Sequence, residues 1–218
     1  MLPTEIGSRV SELYIDPLTA HNYITLLSQA EEEGKFDPLG LLEALCDAVE
    51  IVKLPVKGRE EGALWEAAYS AEDRLLRDLG GFGLDFEFLN RFKTARMFED
   101  WVGEKTEDEI MEAYGVAPGQ LNMKLQNLEW LCYAGAELTR ILGLRKAHPS
   151  LKRLETRVKY GVREELAALV SVKGIGRVRA RKLYSAGVKT VLQLKKTPVE
   201  ELGGIIGRKV AENVKKEL

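Results

Sequence analysis

Cysteine and histidine are scarce in this chain of 218 residues: Cys46, Cys132, His21 and His148 are all there is. The two cysteines are far apart, form no Cys-x-x-Cys pair and have no histidine close by in sequence, so neither a metal cluster nor a disulfide framework is expected. Each lies in an apolar helical pattern and is expected to be a small buried hydrophobe. No apolar run approaches the length of a membrane span, and Met1-Leu-Pro-Thr-Glu5 lacks the basic and apolar regions of a signal peptide, which predicts a cytoplasmic protein without membrane contact. A Gly-x-x-x-x-Gly-Lys-Ser/Thr phosphate loop is missing, as is any alternation of strands with helices, so no nucleotide-binding motor and no cofactor is expected in this chain. The carboxylates at Glu31–Glu33 and Glu107–Glu109 have no histidine partner. They read as solvation and capping, and a hydrolytic site of the chain's own has little support.

What is present is ordinary in bulk and uneven in distribution. Hydrophobic residues make up 45% and charged residues 30%, enough for one large or two modest globular domains. The net charge of −2 hides a split near Leu144. Residues 145–218 hold 19 Lys/Arg against 7 Asp/Glu, a net of +12, which leaves residues 1–144 at −14. A basic C-terminal segment points to nucleic acid, and the acidic part cannot owe any such binding to bulk charge.

Apolar spacing and breakers predict an all-α chain. Leu13-Tyr14-Ile15 reads as a short strand-like run stopped by Asp16-Pro17, the remainder of a preceding domain. Helices are predicted over Pro17–Glu33, Pro38–Val52, Gly62–Leu79 and Asp85–Val102, with Gly80–Gly83 separating the last two. Thr106-Glu-Asp-Glu109 has capping-box spacing for a helix to Tyr114. A long helix follows over Gln120–Leu142, and a further one over Ser150–Tyr160 lies in a polar, basic connection.

The clearest chemistry is Val172-Lys-Gly-Ile-Gly-Arg-Val-Arg-Ala-Arg-Lys-Leu-Tyr184. A helix over Arg163–Ser171 runs into a Gly174-Ile175-Gly176 turn, and Arg177 opens the next helix. Two glycines around one apolar anchor let the backbone approach a ligand, and the unpaired N–H groups at a helix N-terminus attract an anion. Lys173, Arg177, Arg179, Arg181 and Lys182 surround that point, so the expected anion is a phosphate. The pattern resembles the helix-hairpin-helix motif, which grips a nucleic-acid backbone without reading bases. It is repeated: Thr197-Pro198-Val199-Glu200 starts a helix, Gly203–Gly207 is the second turn, and Arg208 and Lys209 open the exit helix.

Several strings in order extend the resemblance to nearly the whole chain: Leu13-Tyr-Ile-Asp-Pro-Leu-Thr19, Asp100-Trp101 with Glu107-Asp-Glu-Ile110, Tyr114-Gly-Val-Ala-Pro-Gly119, Glu129-Trp-Leu131 and Ile175–Tyr184. They resemble the C-terminal third of the archaeal superfamily-2 DNA helicases called Hjm, relatives of the polymerase-theta-type helicases. That resemblance implies the end of a winged-helix domain (1–16), a helical-bundle ratchet domain (17–144), a basic connection (145–161) and a small helix-hairpin-helix domain (162–218). It implies that Trp130, on the long helix, stacks on the bases of a single strand. A family arginine two turns earlier falls on Met123, which cannot hold a phosphate; Lys124 is the candidate substitute. Trp65 and Trp101 are expected to be core aromatics. The implied protein is part of a larger DNA repair or replication-fork helicase, with ATP and Mg in the absent motor domains. It would be archaeal, monomeric and nucleoid-associated, and would bind single-stranded or forked DNA. The competing expectation is an autoregulatory or protein-interaction module that docks on the motor and restrains it.

Overall fold

The structure, a computed structural model, describes residues 4–80 and 86–218. The expected break at Gly81–Gly83 and the expected helix start at Asp85 lie outside the described residues. Within them the chain is helical and contains no strand: α1 (Glu5–Leu13), α2 (Pro17–Glu33), α3 (Pro38–Leu45), α4 (Glu61–Ser70), α5 (Phe86–Val102), α6 (Glu107–Tyr114), α7 (Pro118–Ile141), α8 (Ala147–Tyr160), α9 (Ala167–Val170), α10 (Arg177–Ser185), α11 (Val191–Lys196), α12 (Val199–Ile206) and α13 (Arg208–Glu217).

Capping chemistry sets many of these bounds. Asp16 and Asp37 each accept a hydrogen bond from the second residue of the helix they precede, with Pro17 and Pro38 at its first position. Thr106 and Glu109 form the expected capping box.

Several boundaries depart from the expectation. The strand-like run at Leu13 is the end of helix α1, because Val10 and Leu13 bury at helical spacing and Tyr14 closes the helix at φ 55. Helix α3 stops at Leu45 rather than Val52. Glu50 accepts from Asp16 N and Thr19 Oγ1, which folds the following segment back over the start of α2. Helix α4 ends at Ser70 rather than Leu79, and Arg74 is drawn off to Asp37 and Glu99. In the second hairpin Gly203 and Gly204 are inside α12, so the turn is Gly207 alone, at φ 90. Helix α11 was not expected, although Thr190 and Gln193 form a capping box.

Two hydrophobic cores result. The larger runs from Val10 to Val158 and is built around α7, which α1, α2, α3, α6 and α8 all touch. Residues 145–161, expected as a connection, contain α8, which buries Leu151, Leu154 and Val158 in this core. Glu31 accepts from the N–H groups of Lys146 and Ala147 and so caps the entry to α8. The smaller core runs from Val162 to Val214 and joins α9 to α13. Both cysteines are fully buried, as expected.

The two cores meet at Gly161. It ends α8 at φ 62, and a Cβ built on it would lie 2.7 Å from two ring carbons of Trp101. The Trp101 indole N–H in turn donates to Val158 O at 2.8 Å. Trp101 is therefore half-buried at a junction rather than a plain core aromatic.

Two outcomes follow from this packing. Gly161→Ala adds a steric clash to backbone strain and should cost about 1–3 kcal/mol beyond the strain alone. Gly143→Ala, also at positive φ but with open space around it, is the control, and thermal melts of both compare them. Acid should also destabilise the fold. Hydrogen bonds from Lys93 (to Glu60), from Thr106 (to Glu109) and from Arg140 and Arg9 (to Glu137) hold these carboxyls below their ordinary value. A folded-state pKa below the unfolded one stabilises above the usual carboxylate range, near 4.3, and that contribution is lost as pH falls through the lowered values. The buried Glu43, pushed up by burial against the pull of Arg77 and Arg91, works in the opposite direction. The melting midpoint should drop between about pH 5 and pH 3, as read by circular dichroism.

Candidate nucleic-acid interface

Helix α7 spans 24 residues and buries one face completely, including Leu121, Leu128, Leu131, Cys132, Leu138 and Thr139. Its other face is exposed up to Tyr133. Met123 is 70% exposed and Tyr133 is 37% exposed, with Asn127 between them also exposed. Trp130 is half-buried: it packs against the larger core and borders an open depression with Gln126, Glu129, Tyr133 and Glu155. Met123 and Trp130 are seven residues apart, which places them ~10 Å apart along the helix and within ~20° of one another around it. Part of the indole thus faces outward, as base stacking requires. Lys124 points elsewhere. Its Nζ donates to Val52 O, and burial lowers its pKa.

The first hairpin turn has the geometry the glycines promise. Gly174 is at φ 88, and Ile175 is buried as the anchor. Gly176 precedes α10 with no side-chain cap, so the first N–H groups of that helix receive none among the described residues. Lys173, Arg179 and Lys182 are exposed around it. Lys173 Nζ is 2.8 Å from Glu217, and Arg179 donates to Gly174 O at 3.0 Å. Both contacts lie in water and are worth little, so neither withholds the cation from a phosphate. Val178, an apolar residue, is 67% exposed beside them.

Arg177 and Arg181 are placed differently. Arg181 makes a two-pronged contact with Glu104, at 3.0 and 2.6 Å, and reaches Glu165 at 2.9 Å. The hydrogen bonds it donates to Glu104 raise its pKa above the ordinary arginine value. Arg177 donates to Lys105 O at 2.7 Å, and its guanidinium lies 5.1 Å from the centre of the Trp101 ring. Burial lowers its pKa. Arg163 completes the set by donating to Gly103 O and, through its backbone N–H, to Glu104. Glu104 itself is at φ 76, a left-handed conformation uncommon for a side-chain-bearing residue. Three arginines therefore bind the hairpin unit to the turn between α5 and α6.

In the second hairpin Arg208 and Lys209 open α13 and are exposed, with Arg208 also pairing with Glu212 at 3.1 Å. The two turns sit near opposite ends of α13, since Lys173 reaches Glu217 while Gly207 precedes Arg208. Along that helix they are ~14 Å apart.

Sequence reasoning missed the Glu104 junction and the gathering of Lys53, Lys57, Lys93 and Lys124 around one groove beside the N-terminal half of α7. The only signal for the former was an acidic residue after Gly103, which composition cannot distinguish from a solvated one. Among the described residues no group of three or more His, Cys, Asp or Glu side chains is placed to hold a metal, and no helix is long and apolar enough to cross a membrane.

Comparison with known proteins agrees with this two-part organisation. Residues 39–161 match the family model for archaeal helicase, domain 4, and residues 166–218 match that for the SAM-like helix-hairpin-helix tandem. The chain is 37% identical over its whole length to the ATP-dependent DNA helicase Hel308 of Methanocaldococcus jannaschii, of which it covers 17%. It is 37% identical over 97% of its length to that of Caldivirga maquilingensis and 35% identical over 99% to that of Pyrococcus abyssi, covering 29% and 30% of those proteins. It thus spans less than a third of the length of these curated relatives and corresponds to their C-terminal part. With the first of the two models covering more than half of the chain, the protein belongs to the archaeal helicase domain 4 family, carrying a helix-hairpin-helix tandem behind that domain.

Proposed function

We propose that this chain is the DNA-binding C-terminal module of an ATP-dependent DNA helicase, and that it grips single-stranded or forked DNA behind motor domains that hold ATP and Mg. The observation that carries this reading is the bare face of α7, where Trp130 presents part of its ring on a helix otherwise committed to the core. An indole accepts any base by stacking, so it retains a moving strand without reading it. The hairpin tandem holds the backbone of the strand at the uncapped start of α10, with Lys173, Gly174, Gly176, Arg179 and Lys182, and at Arg208 and Lys209 in the second hairpin. Neither site hydrolyses anything. Force and direction come from the motor domains.

Met123 fits a looser grip than an arginine would give at that position. Lys124 is a poor substitute, because its ammonium is engaged with Val52 O.

A second reading is favoured by one specific observation. Arg177 and Arg181 are occupied by Trp101, Lys105 and Glu104, so part of the basic helix restrains the hairpin unit rather than facing outward. On that reading the module also restrains the motor. Arg181→Ala would then raise unwinding by the full-length helicase while leaving strand affinity unchanged.

Fluorescence anisotropy with a labelled single strand, titrated at several salt concentrations, tests the first reading. Trp130→Ala should raise Kd roughly 5- to 150-fold, from a stacking loss of ~1–3 kcal/mol, with little change in salt slope. Lys173→Ala with Arg179→Ala should lower the slope by about 1.4, from two lost phosphate contacts. Absence of strand binding by the wild-type chain at moderate salt would exclude this reading.

A further inference from the structure

A groove of about 450 Å³ opens between residues 51–57 and the N-terminal half of α7. Its walls are apolar, formed by Val52, Leu54, Pro55, Val116 and Met123. Its polar lining is unusual for this part of the chain. Lys53, Lys57, Lys93 and Lys124 all border it, and no Asp or Glu does, although residues 1–144 carry a net charge of −14.

Two of the four lysines are fixed by the fold. Lys93 donates to Pro55 O at 3.1 Å and pairs with Glu60 at 2.6 Å, and Lys124 donates to Val52 O. Lys53 and Lys57 make no side-chain hydrogen bond or ion pair among the described residues. The groove therefore offers two uncommitted ammonium groups at the edge of an apolar slot, within the size range of pockets that take small organic ligands. An anion joined to a flat apolar ring satisfies both features at once.

We propose that this groove is a nucleotide seat for a DNA strand, in which the base lies against Val52, Pro55 and Met123 and the adjoining phosphates are held by Lys53 and Lys57. The proposal rests on the strand-binding reading above and extends it. Met123 forms one wall of the groove and lies on the same face of α7 as Trp130; Asn127, between them in sequence, also lines the groove. The ~10 Å from Met123 to Trp130 corresponds to about three stacked nucleotides, or fewer in a stretched strand. One strand lying along α7 would thus meet the slot and the indole in succession. On this assignment the phosphate contact that Met123 cannot make is supplied from residues 51–57, across the groove.

The test is salt-dependent anisotropy of a labelled oligothymidylate and of a matched blunt duplex, using the whole chain and the variants Lys53→Ala/Lys57→Ala, Met123→Ala and Trp130→Ala, with thermal melts to show that each is folded. The expected result is a fall in salt slope of about 1.4 for the double lysine variant, specific to the single strand, and weaker binding without a change of slope for Met123→Ala. If Trp130→Ala weakens strand binding while the lysine variant keeps wild-type affinity and slope, the seat is wrong and the strand-binding reading stands. An equal loss on single strand and duplex marks the lysines as general attraction and also overturns the seat. If the wild-type chain binds no single strand, both fall together.

Discussion

Helix α7 is buried on one side along its whole length and exposed on the other over its N-terminal two thirds, and most of the structure follows from that. Five helices pack on its inner face, so its position within the larger core is set from several directions. A bare helix face held this rigidly needs no ordering when a ligand arrives, which spares the entropy that a flexible loop would lose on binding. On the proposed reading an acidic body can serve a polyanion, because binding along α7 depends on a ring and on a local lysine cluster, whereas the net charge of residues 1–144 would repel DNA.

The second constraint is the junction between the two cores. Trp101, Gly161, Glu104 and Arg181 form one connected set: the indole closes against Gly161, Arg177 lies over the indole, and Arg181 clasps Glu104. A basic helix is thereby divided in function. Its inner cations hold the hairpin unit on the larger body, and its outer ones, Arg179 and Lys182, are exposed. Because Glu104 is largely shielded from water and takes both of its hydrogen bonds from one guanidinium, its contact with Arg181 is stronger than a single exposed ion pair, and it sits between the two cores.

The all-α class, most helices and both hairpins were legible in the sequence because they rest on local rules, such as the capping box at Thr106–Glu109 and the apolar spacing along α7. What was not legible depends on tertiary contacts. Helix α3 ends early because Glu50 reaches back to Asp16 and Thr19, a contact across more than thirty residues. Gly203 and Gly204 read as a turn but are held helical, with Leu202 and Ile206 on either side of them buried in the smaller core. The cations around the first hairpin were read as one patch, since spacing alone cannot show that Glu104, more than seventy residues away, captures Arg181. The lysine groove was invisible for the same reason: Lys53, Lys57, Lys93 and Lys124 come from three separate segments.

The central claim is that one strand contacts the bare face of α7 and the hairpin turn together. Photo-cross-linking of a single strand carrying a halogenated uracil at successive positions, with adducts located by mass spectrometry, tests it most directly. The account predicts adducts at Trp130 from one register of the probe and at residues 173–182 from another, displaced along the same strand. Adducts confined to the hairpin unit in every register, with none on α7, would contradict it.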